Sequence, residues 1–217
     1  MYLLFLISNK KIKLIVIIQA RSGSIRFKNK VLLEVHGKPL IWYVVRQIKK
    51  SKKVKKIVVA IPKSDRDKNL YSYLKKNNMN IYRGDENNVA KRMLYAAKKF
   101  KANNFMRISA DSPLIKTSII NKCINIKKNF FNYDLITNVF PRSFPSGQSV
   151  EIINTKVLQK NIKFMKKSEL EHVTKYFYNN STKFTIKNFT NKNKDKQFKS
   201  SIDTINDFKK LKHLIKK

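Results

Sequence analysis

The amino-acid sequence predicts an α/β fold with crossover connections, and two observations carry that expectation. From Lys13 onward, short runs rich in Ile, Val and Phe alternate with longer stretches of helical hydrophobic period. Turn and capping residues stand at many of the changeovers, as expected where one backbone conformation gives way to another. The length of 217 residues, 42% of them hydrophobic and 11% aromatic, suffices for one domain with a sizeable core and a small appendage. Hydrophobic runs recur along the whole chain except at residues 187–199, so disorder is not expected.

The elements follow in order. Leu14–Ala20 reads as the first strand, and after a loop at 21–30, Val31–Val35 reads as a short extended piece. His36-Gly37-Lys38-Pro39 is a turn, and proline suits the start of the helix Leu40–Lys50. Ile57–Ile61 is the second strand, and Ser64-Asp65 opens a polar helix to about Lys76. Ile81–Arg83 is the third strand, followed by Gly84-Asp85 and a helix through Lys101 whose Val89, Met93, Leu94, Ala97 and Phe100 share one face. Phe105–Ser109 is the fourth strand, ending in Ala110-Asp111-Ser112-Pro113, with a helix from about Ser118. Tyr133–Asn138 and Val150–Ile153 read as strands around the proline-rich loop 141–147. Ser168-Glu169-Leu170-Glu171 has capping-box spacing and begins a helix to about Tyr178. Phe184–Phe189 and Ser200–Asp203 read as strands, and Thr204–Asp207 caps a final helix.

Composition excludes several classes. A single cysteine, Cys123, rules out an internal disulfide framework and a multi-thiolate zinc site, which fits a cytoplasmic location. Cys123 lies on a helix without a neighbouring His and reads as core filler. Met1–Ile7 is apolar, but Lys10, Lys11 and Lys13 follow it instead of preceding it, the wrong order for a signal peptide. Residues 1–11 therefore read as an N-terminal extension or a misplaced start, and 12–217 as one domain. No window approaches the roughly 20 apolar residues of a membrane span. The formal charge of +36 invites a nucleic-acid reading. Only eight of the 49 basic residues are Arg, however, and the lysines are spread over every polar segment, which argues against a dedicated binding face.

The motifs sit at strand ends. There are four glycines where average usage would give about fifteen, and Gly23, Gly37, Gly84 and Gly147 all fall at turns, where positive φ or close backbone approach is useful. After the first strand comes Ala20-Arg21-Ser22-Gly23-Ser24-Ile25-Arg26-Phe27-Lys28-Asn29-Lys30. Small residues leave N–H groups open to an anion, and Arg21, Arg26 and Lys30 add positive charge, a composition suited to a triphosphate. A solvated basic turn is the competing reading. The stretch matches neither the dinucleotide nor the P-loop fingerprint. Asp111 and Asp203 both end strands, where two carboxylates could share a Mg²⁺ with nucleotide phosphates or could simply cap following helices. Arg83 and Asp85 flank Gly84, as a base or ribose holder or as a plain turn. Glu171-His172 could orient a substrate or serve the helix.

Taken together these stretches resemble the CMP-sugar-acid synthetases, most closely the spore-coat polysaccharide or acylneuraminate cytidylyltransferase branch. Ala20–Lys30 is similar to that family's A-R-x-G-S-x-R-L/F-P-x-K loop. Gly37-Lys38-Pro39-Leu40, Ile57-Val58-Val59-Ala60, Tyr82-Arg83-Gly84-Asp85, Arg107 to Ile115, Asn138 to Gly147, Glu171-His172-Val173-Thr174 and Ile202-Asp203-Thr204 follow in family order.

The resemblance implies a Rossmann-like nucleotide-diphospho-sugar transferase fold, a mixed and mostly parallel sheet flanked by helices, with a small dimerisation segment near 138–165. It implies CTP bound by Ala20, Arg21, Ser22, Gly23, Ser24, Arg26, Lys30, Arg83, Gly84 and Asp85, with Arg21 and Lys30 as catalytic cations on the phosphates. Asp111 and Asp203 would hold Mg²⁺, while Arg142, Glu151 and His172 would face a sugar acid in a homodimeric enzyme of surface polysaccharide or lipopolysaccharide synthesis. Lys28 replaces the family proline, and Gly147-Gln148-Ser149-Val150-Glu151 replaces G-L-D-V-E, losing an acid beside the sugar pocket. The rivals are a basic nucleic-acid-binding protein and an inactive relative serving as a partner subunit.

Overall fold

Residues 13–23, 27–130, 132–191 and 198–216 are described by the computed structural model, so the reading of 1–11 as an extension lies outside the described residues. The centre is β1 (Leu14–Gln19), flanked in parallel by β4 (Ile57–Pro62) and β6 (Asn104–Ser109). Beyond β4 lies β5 (Asn80–Gly84), also parallel. Beyond β6 lie β8 (Glu151–Asn154), β7 (Leu135–Thr137) and β9 (Ile186–Asn188), giving the order β5-β4-β1-β6-β8-β7-β9, with β8 antiparallel to both its neighbours. This is the mixed, mostly parallel sheet that the family resemblance implies.

Strand β1 reads LIVIIQ because both sheet faces are covered. Val16 and Ile18 face a core with α1 (Leu40–Lys49), α2 (Lys68–Lys76) and α4 (Thr117–Asn129). Ile15 and Ile17 face a second core with α3 (Val89–Lys99), α5 (Thr155–Asn161) and α7 (Lys175–Asn179). Each such fully buried aliphatic side chain contributes about 1.5–3 kcal/mol. Cys123 is buried in the first core, where burial pushes its thiol far up, so it acts as filler. A third, smaller cluster joins Leu40 and Tyr43 of α1 to Ile202, Ile215 and α8 (Ile205–Leu211), which brings the C-terminal segment to the site.

Several elements depart from the sequence expectation. The piece expected to be extended at Val31–Val35 begins as a 3-10 turn at Lys30–Leu32, set by Asn29 at φ 54, and only β2 (Glu34–Val35) is strand. It pairs with β3 (Lys38–Pro39) around His36 and Gly37, at φ 50 and 70, the two-residue hairpin in which both positions need positive φ. The helix expected from Ser168 to Tyr178 is two helices, α6 (Lys167–Glu171) and α7, broken at His172. Its box is set two residues earlier, where Glu169 accepts from the Lys166 N–H at 2.8 Å. Helix α5, capped by Asn154, was not anticipated from the hydrophobic pattern. Tyr133–Asn138 and Phe184–Phe189 shorten to three-residue strands.

Ser200–Asp203, expected as a strand, joins no ladder. It is pinned by isolated bonds on either side, Ser200 N–H to the Ser146 carbonyl at 2.8 Å and Ile202 N–H to the Asp111 carbonyl at 2.9 Å. Gly147, at φ 89, lies so close that a Cβ would fall 2.5 Å from the backbone of Ser200 and Ser201. Gly147→Ala therefore combines left-handed strain with a clash against backbone. It is expected to cost at least about 2 kcal/mol and to lower Tm by roughly 4–8 °C, read by thermal denaturation.

Candidate active site

After β1 the chain crosses to β4 and β5 on one side, then returns to β6 on the other. The crevice above the carboxyl ends of β1 and β6 is thus the topological switch point, where open α/β sheets bind ligands. Two loops meet there: the one leaving Gln19 and the one leaving Ser109.

The first loop is anchored from below. The Ser22 N–H donates to Oδ1 of Asp67 at 2.7 Å, and Asn29 N–H donates to the Ser22 carbonyl at 2.9 Å. Asp67 is buried, and that burial raises its carboxyl pKa although the Ser22 bond pulls the other way. Arg21 reaches across to Glu171 at 3.2 Å, joining the loop to α6, with both side chains well exposed. Ser24 and Arg26, both expected on the nucleotide, lie outside the described residues. Gly23 shows neither positive φ nor tight approach, since a Cβ there would meet nothing closer than 3.8 Å. The expectation that each glycine serves one of those needs holds for the other three.

Asp111, Asp203 and Lys30 converge. The Lys30 ammonium donates to Asp111 Oδ2 at 2.9 Å, to the Ile202 carbonyl at 2.9 Å and to Asp203 Oδ1 at 3.2 Å. Lys30 is nearly buried, so it faces the aspartates rather than open solvent. Lys199 donates to the other oxygen of Asp203 at 3.1 Å and to Asp207 at 2.7 Å. Burial opposes ionisation of Asp203, but the Lys199 hydrogen bond and the charge of Lys30 hold its carboxyl below the usual range. Among the described residues no cluster of three or more His, Cys, Asp and Glu side chains forms a metal site. A divalent cation here would rest on two carboxylates and complete its shell with water and phosphate, which is the habit of Mg²⁺.

At the β5 end, Gly84 is required by close approach, since a Cβ would lie 2.7 Å from the Tyr82 ring. Asp85 Oδ1 accepts from the N–H groups of Asn87 and Asn88 at 3.0 and 2.8 Å, so the carboxylate shapes the turn into α3. The Arg83 guanidinium lies over the Tyr71 ring at 4.8 Å. Beneath this turn is Arg92, fully buried, with Nη1 donating to the carbonyls of Asp85 and Glu86 and with Nε and Nη2 lacking a partner. Burial, followed by repulsion from Arg21, lowers its pKa to about 10, against attraction from Asp67, Asp85 and Glu86. A cavity of about 300 Å³ opens beside it, walled by Lys63, Gly84, Asp85 and Arg92 among others.

The three residues expected on the sugar form no hydrogen bond or ion pair with one another. Arg142 is exposed and donates to the Ser149 hydroxyl at 3.2 Å. His172 is exposed at the break after α6. Glu151 is buried in an internal chain, accepting from Arg107 Nη1 at 2.6 Å and from the Tyr178 hydroxyl at 2.5 Å, while Arg107 Nε donates to Gln19 at 2.9 Å. Burial and the adjacent Glu151 charge push the Tyr178 hydroxyl far up, so it remains a donor. Asp67, Arg92 and Tyr178 were given no site role from sequence, and Arg107 entered only as the first residue of the Arg107–Ile115 stretch. For Arg92 a signal existed: it lies three residues after Val89 and four before Ala96, both buried on α3.

A model of the cytidylyltransferase family matches residues 15–217. The uncharacterized protein MJ1063 of Methanocaldococcus jannaschii is 34% identical over 201 residues, covering 91% of this chain and 81% of that one. The spore coat polysaccharide biosynthesis protein SpsF of Bacillus subtilis is 26% identical, covering 93% and 85%. The 3-deoxy-manno-octulosonate cytidylyltransferase of Wigglesworthia glossinidia brevipalpis is 30% identical over 155 residues, covering 68% and 57%. The solved structure of a cytidylyltransferase from Leptospira borgpetersenii matches with TM-score 0.87 at 30% identity, covering 93% of this chain and 85% of that one. The chain belongs to the cytidylyltransferase family and is a CTP-dependent nucleotidyltransferase.

The Asp203 segment is held by Asp207, whose Oδ2 accepts from the N–H groups of Asp203 and Thr204, both at 2.9 Å. Burial opposes ionisation, yet Lys199 and these N–H groups bring the Asp207 pKa down to about 2. A carboxyl lowered on folding stabilises above its unfolded pKa near 3.9 and loses that contribution as pH falls through its folded value. Asp207→Ala is therefore expected to cost about 1 kcal/mol at pH 7, with the gap from wild type narrowing between pH 4 and pH 2 in urea titrations.

Proposed function

We propose that this protein transfers CMP from CTP to the anomeric hydroxyl of an ulosonic or nonulosonic sugar acid, with release of pyrophosphate, for surface polysaccharide or lipopolysaccharide synthesis in the cytoplasm. The observation that carries the reading is the convergence of Asp111 and Asp203 on a single cation at the switch point, below a loop that presents Arg21. Two carboxylates within hydrogen-bond reach of one nitrogen are close enough to share a Mg²⁺, so the residues present fit that ion. Bound there, Mg²⁺ would supply charge neutralisation for the triphosphate and the leaving pyrophosphate.

In the transfer, a bond forms between the anomeric oxygen and the α-phosphorus, and the bond from that phosphorus to the bridging oxygen of the pyrophosphate breaks. The hydroxyl proton leaves to solvent or to a base. Phosphoryl chemistry of this kind depends chiefly on positioning and charge. Arg21 would hold the phosphates on the loop that Asp67 anchors, and Arg92 would fix the turn 84–88 that receives the nucleoside. The sugar-acid class is supported by the octulosonate enzyme among the relatives, and the polysaccharide role by SpsF. Arg142 and His172, both exposed, are the residues we assign to the sugar carboxylate and hydroxyls, with Glu151 supporting the pocket wall from within.

With Mg²⁺ and a panel of sugar acids, pyrophosphate release is expected with CTP and not with ATP, GTP or UTP. Asp111→Asn is expected to lower kcat/KM by about 10²–10³-fold. Release from no sugar acid in the panel would defeat the proposal.

We also assign a homodimer that pairs through residues 138–165. Phe140 and Phe164 in that segment are large and exposed, at 38% and 62%. Phe164→Glu is expected to shift the protein from dimer to monomer in light scattering, and a monomeric wild type would remove the assignment.

A further inference from the structure

Lys30 occupies the position that the proposed reaction gives to a divalent ion. An ammonium has three N–H donors, and here all three are engaged, by two carboxylates and the Ile202 carbonyl. In this arrangement Lys30 has no hydrogen left for a phosphate, although its place in the loop puts it among the residues expected to bind one.

The electrostatics explain the arrangement. Two carboxylates brought to one point repel, and a partly buried pair, with side chains 22% and 21% exposed, is screened by salt much less than an exposed one. One ammonium relieves part of that repulsion, and the backbone carbonyl completes its shell. A divalent ion arriving alone would have to break three hydrogen bonds and leave the ammonium desolvated and unpaired, which is costly. A triphosphate arriving with the metal changes this balance, because it offers the ammonium a replacement anion. Lys30 has a flexible four-carbon stem, so the head group can move between the two while the backbone stays in its turn.

We propose that Lys30 is the resident counter-cation of the Asp111–Asp203 pair, and that it gives the pair up to a divalent ion only when CTP supplies phosphate oxygens to receive its ammonium. Metal and nucleotide then bind as one thermodynamically coupled unit, each raising the affinity of the other. This rests on the functional reading above. It adds that one side chain links the two sites, and that the carboxylate pair by itself is a weak metal site because it is already neutralised from within.

The test is Mn²⁺ binding to the full-length protein, followed by electron paramagnetic resonance without nucleotide and with CTP. Lys30→Met is expected to bind Mn²⁺ without nucleotide at least about tenfold more tightly than wild type, and adding Asp111→Asn to it abolishes that gain. In turnover, the same variant is expected to need less metal but more CTP, a divergence that a merely structural ion pair would not produce. Lys30→Gln, which removes the charge yet keeps a donor for the Ile202 carbonyl, serves if the methionine variant does not fold. If neither uncharged variant binds Mn²⁺ more tightly than wild type, while wild type still binds Mn²⁺ with CTP through Asp111, the coupling is refuted and the functional reading stands. If wild type with CTP holds no more Mn²⁺ than CTP alone does, the carboxylate pair is not a metal site and both fall.

Discussion

The site depends on keeping two carboxylates close together at the end of a sheet. Asp111 arrives on the loop after β6, and Asp203 on an irregular segment that no ladder supports. Their proximity is maintained by the Lys30 ammonium between them and by the backbone bond from Ile202 to the Asp111 carbonyl. Much of the surrounding architecture serves that placement. Gly147 allows the Ser200–Ser201 backbone to approach, Asp207 holds the N–H groups that follow, and α8 packs on α1 to fix the whole C-terminal stretch.

A second consequence concerns charge. In a chain of 49 basic and 13 acidic residues, most lysines cover solvent-facing positions and say little about function, with Lys30 the exception at the site. The acids are informative. Asp67 holds the loop after β1, Asp85 shapes the turn before α3, Glu151 lies within the sheet and Glu169 starts α6. Asp67, Glu151 and Glu169 accept from N–H, hydroxyl or cationic groups that burial would otherwise leave costly, while Asp85 caps its turn at an exposed position. The same logic explains Arg92, a buried cation whose charge is balanced by Asp67, Asp85 and Glu86 and whose head group gathers two carbonyls of the turn.

Where the central strands lie, and the family, were legible in the sequence, because covered parallel strands read as unbroken apolar runs and the strand-end motifs follow in family order. β1, β4, β5 and β6 fall within a residue or so of where the pattern puts them, since a buried strand cannot shift register without exposing apolar surface. Errors came where local pattern competes with a distant contact. Ser200–Asp203 looks like a strand by composition, but its N–H groups find isolated partners at Ser146 and Asp111. Ser168 has the spacing of a cap, but the Lys166 N–H reaches Glu169 first.

The sequence by itself determined the sheet, the helices on its two faces and the identity of the residues at the strand ends, because those follow from periodicity and from residue chemistry. What only the tertiary structure decided is who faces whom. Lys30 meets the aspartates, Glu151 turns inward to Arg107 and Tyr178, and Arg92 lies under the turn before α3. Partners of that kind are separated by long stretches of chain, and no local spacing encodes them. They are set when the strands take their order and bring the ends of β1 and β6 side by side.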